Sequence, residues 1–570
     1  MDRLRVLIIG GYGTFGGRLV DLLADDAGLT LFVAGRSKEK AEKFCAERTS
    51  GTDLVPLVFD REGDVDAQIT ASKPDLVVDA SGPFQVYGSR PYRIVTSCLR
   101  HGIDYLDLAD GAEFVAGIRQ FDTEAKKRGV VLLSGVSSFP VLTAAVIDAL
   151  APHYQRIDTV VGGIAPSPYA GVGMNVIRAI ASYAGQPVEL IRNGRPATGH
   201  AFTDTMRFTV APPGRLPLHN TRFSLVDVPD LKVLPEVRPT IGSVWMGAGP
   251  VPEILHRMLN ALAWLVRMRI IPSLSPFAGL FHRVTNLVRW GEHRGGMFVQ
   301  VDGIATDGTS LKSSWHLLAE GDDGPLIPSM AAEALIRQRL SGVRGAPGAR
   351  PAAGEVSLQE YDARFARRDI WTGWRTGPEG RRAPLYQTIL GNAWTGLPDA
   401  LRAIHDVRSR ASAKGTGSIH RGEGRLARWV ARAMKLPESA ADVPVLVTFD
   451  AKDGVETWRR NFGDASFSSV QMRGSGRADR LVEEQFGLLT FGLALVLDRD
   501  RLSLVLRRWR FFALPLPMFL APDVEAFEYS DNGVFHFYVK IAHFLTGPII
   551  AYAGWLEPVE DIDEPGNPPP

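Results

Sequence analysis

Four apolar residues, Val6-Leu7-Ile8-Ile9, run into Gly11-Tyr12-Gly13-Thr14-Phe15-Gly16, and no other stretch restricts the fold so tightly. A short continuous apolar run predicts a strand buried on both faces of a parallel sheet. Arg18-Leu19-Val20-Asp21-Leu22-Leu23 then has the apolar spacing of a helix. A glycine-rich turn in that setting has a physical use. Gly11 permits the tight turn, Gly13 lets the backbone approach a diphosphate, and Gly16 lets helix and strand pack closely. The first-turn N–H groups, at Thr14, Phe15 and Gly16, and the positive end of the helix dipole then face the phosphates. Alone the glycines could make an ordinary turn; the strand–turn–helix order makes a dinucleotide site the expectation.

A second strand, Leu29 to Ala34, ends in Gly35-Arg36-Ser37-Lys38. A site for NAD would place a carboxylate here to accept the ribose 2′-OH, whereas a 2′-phosphate calls for cations and a hydroxyl donor. Arg36, Ser37 and Lys38 supply both, so NADP(H) is expected over NAD(H). The competing reading is that Arg36 and Lys38 cap and solvate the next helix. A third strand, Leu54 to Phe59, brings Asp60 toward the adenine edge. A fourth, Asp75 to Ala80, opens into Ser81-Gly82-Pro83-Phe84-Gln85-Val86-Tyr87-Gly88. Ligands of open parallel sheets lie beyond the carboxyl ends of the strands, which puts Ser81, Gly82, Pro83 and Phe84 beside the nicotinamide half. Strands at Tyr105 to Leu108 and Val130 to Leu133 complete a sheet of about six.

In order, GGYGTFGGRL, AGRS, DASGPFQVYG, YLDLAD and SGVSSFPVLTAAV resemble the saccharopine dehydrogenase-like oxidoreductases over residues 1 to about 150. The resemblance implies a Rossmann domain, a following α/β substrate domain and hydride chemistry, and leaves the substrate open. A proton must accompany the hydride. Tyr87 is the first candidate donor, because a phenol donates without an unusual pKa, and Asp110 at the end of the fifth strand is the second. The competing readings are that Tyr87 packs against the cofactor and that Asp110 caps a helix at Gly111.

With 570 residues the chain exceeds one core, and ~100–200 residues per domain suggests about three. The fold class expected is α/β: a doubly wound parallel Rossmann sheet over 1–150, an α+β middle domain over 151–341, a linker over 342–383, a β-rich antiparallel domain, curved sheet or barrel, over 384–557, and a tail over 558–570. The low-complexity run Gly342 to Gly354 motivates the linker. In the middle, alternation at Thr159 to Ile164, Phe202 to Val210, Phe298 to Ile304 and Ser310 to Leu318 predicts a mostly antiparallel sheet. Between Glu253 and Glu292 there is no acidic residue, while Arg257, Arg267, Arg269, Arg283 and Arg289 sit among apolar and aromatic side chains. Five arginines forbid a spanning helix. Two basic amphipathic helices broken at Pro272 and Pro276 would suit a lipid interface, or else pack on the sheet or on a second copy in a homodimer.

Beyond Leu385 strand-like runs dominate, with strong turns at Asp453-Gly454 and Asp531-Asn532-Gly533. A closed sheet there would enclose an apolar pocket. Residues 501–522, with Arg507, Arg508, Arg510 and Trp509, form a second cationic, apolar segment that could touch a membrane. LYQTILG, ETWRRNFG, EEQFG and AYAGWLEP resemble an uncharacterised C-terminal domain family that carries no known chemistry. Glu456, Glu483, Glu484 and Glu528 read as solvated faces in preference to a site.

Lys+Arg 64 against Asp+Glu 63 gives no general attraction for nucleic acid, and two cysteines suit a reducing, cytoplasmic setting. No metal-ligand spacing, serine elbow or phosphate-loop lysine occurs. The expectation is an NADPH-dependent oxidoreductase reducing a C=C, C=N or C=O bond of a lipid or isoprenoid-like small molecule. The alternative is a non-catalytic NADP(H)-binding protein that binds or senses lipid.

Overall fold

In a computed structural model the N-terminal apolar runs become strands with almost no exposure: Val6, Leu7, Ile8 and Val33 are each 0% accessible. The structure describes residues 3–171, 173–250, 252–287, 290–376, 383–434 and 436–559. The expected tail beyond 559, and residues 377–382 of the expected linker, lie outside them. Contacts divide the chain into two units, Met1–Phe208 with Thr221–Thr372, and Thr209–Asn220 with Gly373–Pro570.

The first unit opens with strands β1 (Leu4–Ile9), β2 (Leu29–Gly35), β3 (Asp53–Val58), β4 (Leu76–Asp79), β5 (Asp104–Asp107) and β6 (Val131–Ser134). They are parallel and ordered β3-β2-β1-β4-β5-β6, so the direction of winding switches between β1 and β4. Both faces are covered: Leu7, Ile9 and Val77 pack with Ile94 and Cys98 of the Arg93–His101 helix on one side. This is the doubly wound architecture in which a ligand lies outside the strand ends at the switch point.

A seventh strand, Gly348–Pro351, pairs in parallel with β6 at the sheet edge. Residues expected to be a linker therefore finish the nucleotide sheet. Their small side chains are required because the strand is buried: Ala349 is 2% and Ala352 0% accessible. The middle sheet runs Thr205–Phe208, Thr221–Leu225, Ser243–Ala248, Tyr154–Ala165, Gly295–Ala305, Ser310–Ala319, Ile370–Thr376. It is mixed, since Ser243–Ala248 is parallel to Tyr154–Ala165. Helices Glu253–Arg267 and Ala278–Leu287 carry Arg257, Arg267 and Arg283 of the arginine-bearing segment, and Arg289 lies outside the described residues. Among the described residues no helix is long and apolar enough to cross a membrane.

In the second unit ten antiparallel strands close into a barrel, because Leu489–Asp498 pairs both with Val482–Phe486 and with Arg501–Phe511. The two-residue strand Leu514–Pro515 adds outside the ring. Asp453 and Gly454 (φ +53° and +79°), like Asn532 and Gly533 (φ +50° and +80°), make the left-handed turns that match strand twist. Helices Leu385–Leu390 and Asp399–His405 plug one end, burying Tyr386, Ile389, Leu401 and Ile404 against the strands.

Candidate functional site

After β1 the chain turns at Gly10, with φ +78°, where a Cβ would lie 2.8 Å from the Ala80 carbonyl oxygen. The tight turn expected of Gly11 thus belongs to Gly10. Gly11 is required for packing, since a Cβ there would meet the Ile8 carbonyl oxygen at 2.8 Å and the Ala34 nitrogen at 3.1 Å. A Cβ on Gly16 would collide with the Gly10 carbonyl oxygen, which confirms its packing role. Gly13 is the N-cap of α1 (Thr14–Leu23) and has no side chain to offer the first turn. The N–H groups of Thr14, Phe15 and Gly16 therefore point out of an uncapped helix start, the arrangement that holds a diphosphate.

At the end of β2, Arg36 is exposed and, among the described residues, has no ion pair. Ser37 caps helix α2 (Lys38–Ala46) by accepting from the Lys40 N–H at 3.3 Å, and Lys38 stands 3.5 Å from Glu42. The Ser37 N–H donates to the Tyr12 hydroxyl at 3.0 Å, pinning Tyr12 over Gly35. So Ser37 and Lys38 serve the helix as well as the corner, while Arg36 stands free for a phosphate. Asp60 lies beside this corner, its carboxylate accepting from the Glu62 N–H at 3.1 Å. The residues fit a dinucleotide with a 2′-phosphate: a main-chain cradle, a free cation and no carboxylate on the end of β2.

Ser81, Gly82, Pro83 and Phe84 follow β4 and abut Gly10, whose Cβ position lies 2.9 Å from the Ser81 Cα. Ser81 donates to Asp79 from its N–H (3.0 Å) and its hydroxyl (2.6 Å). Tyr87 is 7% accessible, its hydroxyl 2.9 Å from that of Ser81 and 3.3 Å from Asp79, with the Arg61 guanidinium 3.2 Å from its ring centre. Burial, then the Asp79 carboxylate, pushes the phenol far above its ordinary value. Burial also raises Asp79. The Asp107 carboxyl is pushed up to about 7 by burial against hydrogen bonds from Gly135, Ser134 and Ala109. This knot braces the loop from behind.

Asp110 sits differently. Its residue is exposed, yet the surrounding protein raises its pKa despite a 3.0 Å hydrogen bond from Gln85, itself a residue of the pocket wall described next. Asp227 is likewise raised, chiefly by burial, with Asp110 among its neighbouring charges. Gln85 and Pro83 line a pocket of about 390 Å3, with Met174, Arg178 and Ser182 from the Met174–Tyr183 helix and Ala278 and Gly279 from the next layer. Asn175 ties this helix to the loop by donating to the Gly82 carbonyl at 3.0 Å. Gly10, Asp79, Asp107 and Asp227 escaped sequence reasoning. The acidic residues inside DASGPF and YLDLAD were the available signal.

In the barrel the solvated-face reading of the glutamates fails for three of the four: Glu456, Glu484 and Glu528 are 2%, 7% and 8% accessible. Glu483, one position along from Glu484, points outward to Arg510 at 3.5 Å. Strand alternation decides which is which.

Fold and cradle define a dinucleotide-binding α/β oxidoreductase. Residues 6–133 match the family described as saccharopine dehydrogenase NADP binding domain, and residues 397–556 match a domain of unknown function (DUF4166). The chain thus carries a saccharopine dehydrogenase-type domain, with NADP(H) as cofactor and a small-molecule substrate, ahead of a domain with no assigned chemistry. A search of curated proteins returns no match. Among solved structures, apo saccharopine dehydrogenase (L-Glu forming) from Saccharomyces cerevisiae is similar at 14% identity and TM-score 0.46, over 66% of this chain and 100% of that one. Biliverdin reductase with biliverdin and NADP+ from Synechocystis sp. PCC 6803 is similar at 14% identity and TM-score 0.28, over 63% and 94%. WlbA dehydrogenase from Thermus thermophilus, in complex with NAD and alpha-ketoglutarate, follows at 12% and 0.29, over 60% and 90%. Likeness at this level carries no functional argument.

Proposed function

We propose that the chain reduces or oxidises a C=C, C=N or C=O bond of an apolar, lipid- or isoprenoid-like substrate, working at the inner face of a membrane. NADPH, when bound, supplies the hydride. Gly11, Gly13, Thr14, Phe15 and Gly16 would hold its diphosphate, Arg36 its 2′-phosphate, and Ser81, Gly82, Pro83 and Phe84 would flank the reacting end.

One observation carries the choice of substrate. The wall of the pocket formed by Ala278 and Gly279 belongs to a helix whose outer face is apolar and exposed, with Leu280 58% and Leu287 84% accessible. Ile254, Met258 and Trp264 are likewise exposed on Glu253–Arg267, and Arg257, Arg269 and Arg283 are exposed cations of the same stretch of chain. Apolar side chains interspersed with arginine suit an anionic lipid interface. A second copy of the chain is the competing occupant of this surface.

For the proton, Asp110 is favoured over Tyr87. A carboxyl with a raised pKa on an exposed residue can give up a proton and recover it from water. The phenol of Tyr87 is turned toward Asp79 and serves to hold the loop. NADPH oxidation would be followed with lipid extract dispersed on anionic vesicles. Asp110→Asn should lower kcat by about 10²-fold while the Kd for NADPH stays unchanged. An undiminished rate removes Asp110 from the chemistry. Tight NADPH binding without turnover on any lipid fraction would favour the non-catalytic, lipid-sensing alternative.

A further inference from the structure

The antiparallel alternation of the barrel separates its two ends. One end receives the plug helices Leu385–Leu390 and Asp399–His405. The other carries helix Arg425–Ala433 and the connections around residues 487–488, 512–522 and 544–546. Between them lies a cavity of about 420 Å3, lined mainly by aliphatic and aromatic side chains such as Val447, Phe449, Leu493 and Leu504. That volume falls in the range of about 300–1,000 Å3 typical of small-molecule sites. Leu426 and Leu545 line it and are also 54% and 67% accessible, so the cavity opens at the second end. Trp429, Phe512 and Phe519, 69%, 72% and 78% accessible, belong to the connections at that same end.

Polar groups gather toward the plugged end. Glu456 is consumed, accepting from the Leu385 N–H at 3.2 Å and the Trp458 indole at 3.0 Å. Glu528 meets His405 at 2.7 Å. Glu484 uses one oxygen for Ser469 (2.7 Å), Arg460 (3.1 Å) and Gln471 (3.1 Å). Three atoms here have no hydrogen-bond partner among the described residues: Nδ1 of His405, the hydroxyl of Tyr386, on a residue 0% accessible, and the amide oxygen of Gln471, on a residue 1% accessible; of these residues Tyr386 and Gln471 line the cavity. Buried polar atoms without partners are costly, so a donor and an acceptor left open in an apolar chamber point to a missing counterpart.

We propose that the barrel is a binding site for a neutral lipophile with a hydroxyl head, a long-chain or isoprenoid alcohol, whose hydroxyl accepts from Tyr386 and donates to Gln471 or Glu484. Its apolar tail fills the cavity toward the mouth. A carboxylate or phosphate head is disfavoured: three interior glutamates stand against one arginine that is already paired. This site stands independently of the reaction at the nucleotide domain.

The neutral dye N-phenyl-1-naphthylamine, bound to the full-length chain, provides the readout. 1-Dodecanol should displace it at least about tenfold more effectively than dodecanoate at pH 7.5. Leu504→Trp should abolish dye binding by filling the cavity. Among the described residues the Tyr386 hydroxyl has no partner, so Tyr386→Phe removes no hydrogen bond from the fold. It should weaken dodecanol about tenfold and leave the dye unchanged. Equal displacement by alcohol and acid, or a Tyr386→Phe variant with unaltered dodecanol affinity, overturns the assignment. NADPH affinity, measured alongside, reports the nucleotide domain separately. Lost NADPH binding with intact alcohol selectivity would count against the oxidoreductase reading alone.

Discussion

The nucleotide cradle and the barrel interior are built in opposite ways. The cradle is main chain: glycines remove side chains so that N–H groups and a helix end are presented. The barrel interior is side chain: Glu456, Glu484, Glu528 and Arg460 are carried inward by strand alternation and Tyr386 by a plug helix, and they are then satisfied by one another or left open. A main-chain site depends on which residues are absent, and fails when a Cβ is added. A side-chain site depends on closure of the sheet, and fails when one member of a buried pair is deleted.

The sharpest way to break this contrast is Gly16→Val. Its Cβ cannot be accommodated against Gly10, so NADPH binding should fall by more than about 100-fold in equilibrium fluorescence, while dye binding in the barrel persists. Retained NADPH affinity would mean that the cradle is not the cofactor site. Arg460→Met tests the other construction. It strands the buried Glu484, and removing one partner of such a pair costs on the order of 3–5 kcal/mol. The thermal transition of the second unit should drop while NADPH binding is preserved; an unmoved melting curve would show that Glu484 is relaxed by water. Smallest in effect is Arg36→Gln. Loss of the exposed cation should cost NADPH roughly tenfold and leave NADH within about twofold, in a direct comparison of dissociation constants. Equal losses for both nucleotides would return Arg36 to a solvating role.

The same contrast explains what was legible in the sequence. Val6–Ile9 and the glycines announce themselves locally, because backbone constraints are written in residue type at fixed spacing. The long strands after Val443 were equally plain from their alternation and their Asp-Gly and Asn-Gly turns. By contrast, Arg410–Arg421 was missed, because RASAKGTGSIHR carries small and polar residues where a strand signal needs apolar ones. Its glycines are demanded by neighbours instead: a Cβ on Gly417 would press on the Ala553 carbonyl oxygen at 3.0 Å. The inward glutamates were misread for a related reason. Charge predicts exposure only until a sheet closes on itself, and no local pattern announces closure. The mixed pairing of the middle sheet was hidden similarly, since Ser243–Ala248 reaches its parallel partner across a long connection.

The edge strand Gly348–Pro351 has one more consequence. The nucleotide-binding layer is discontinuous in the chain, and a recombinant fragment ending near residue 150 would leave β6 with an open flank of unsatisfied amides and carbonyls. Such a fragment should self-associate, whereas one that retains Gly348–Pro351 keeps that border paired.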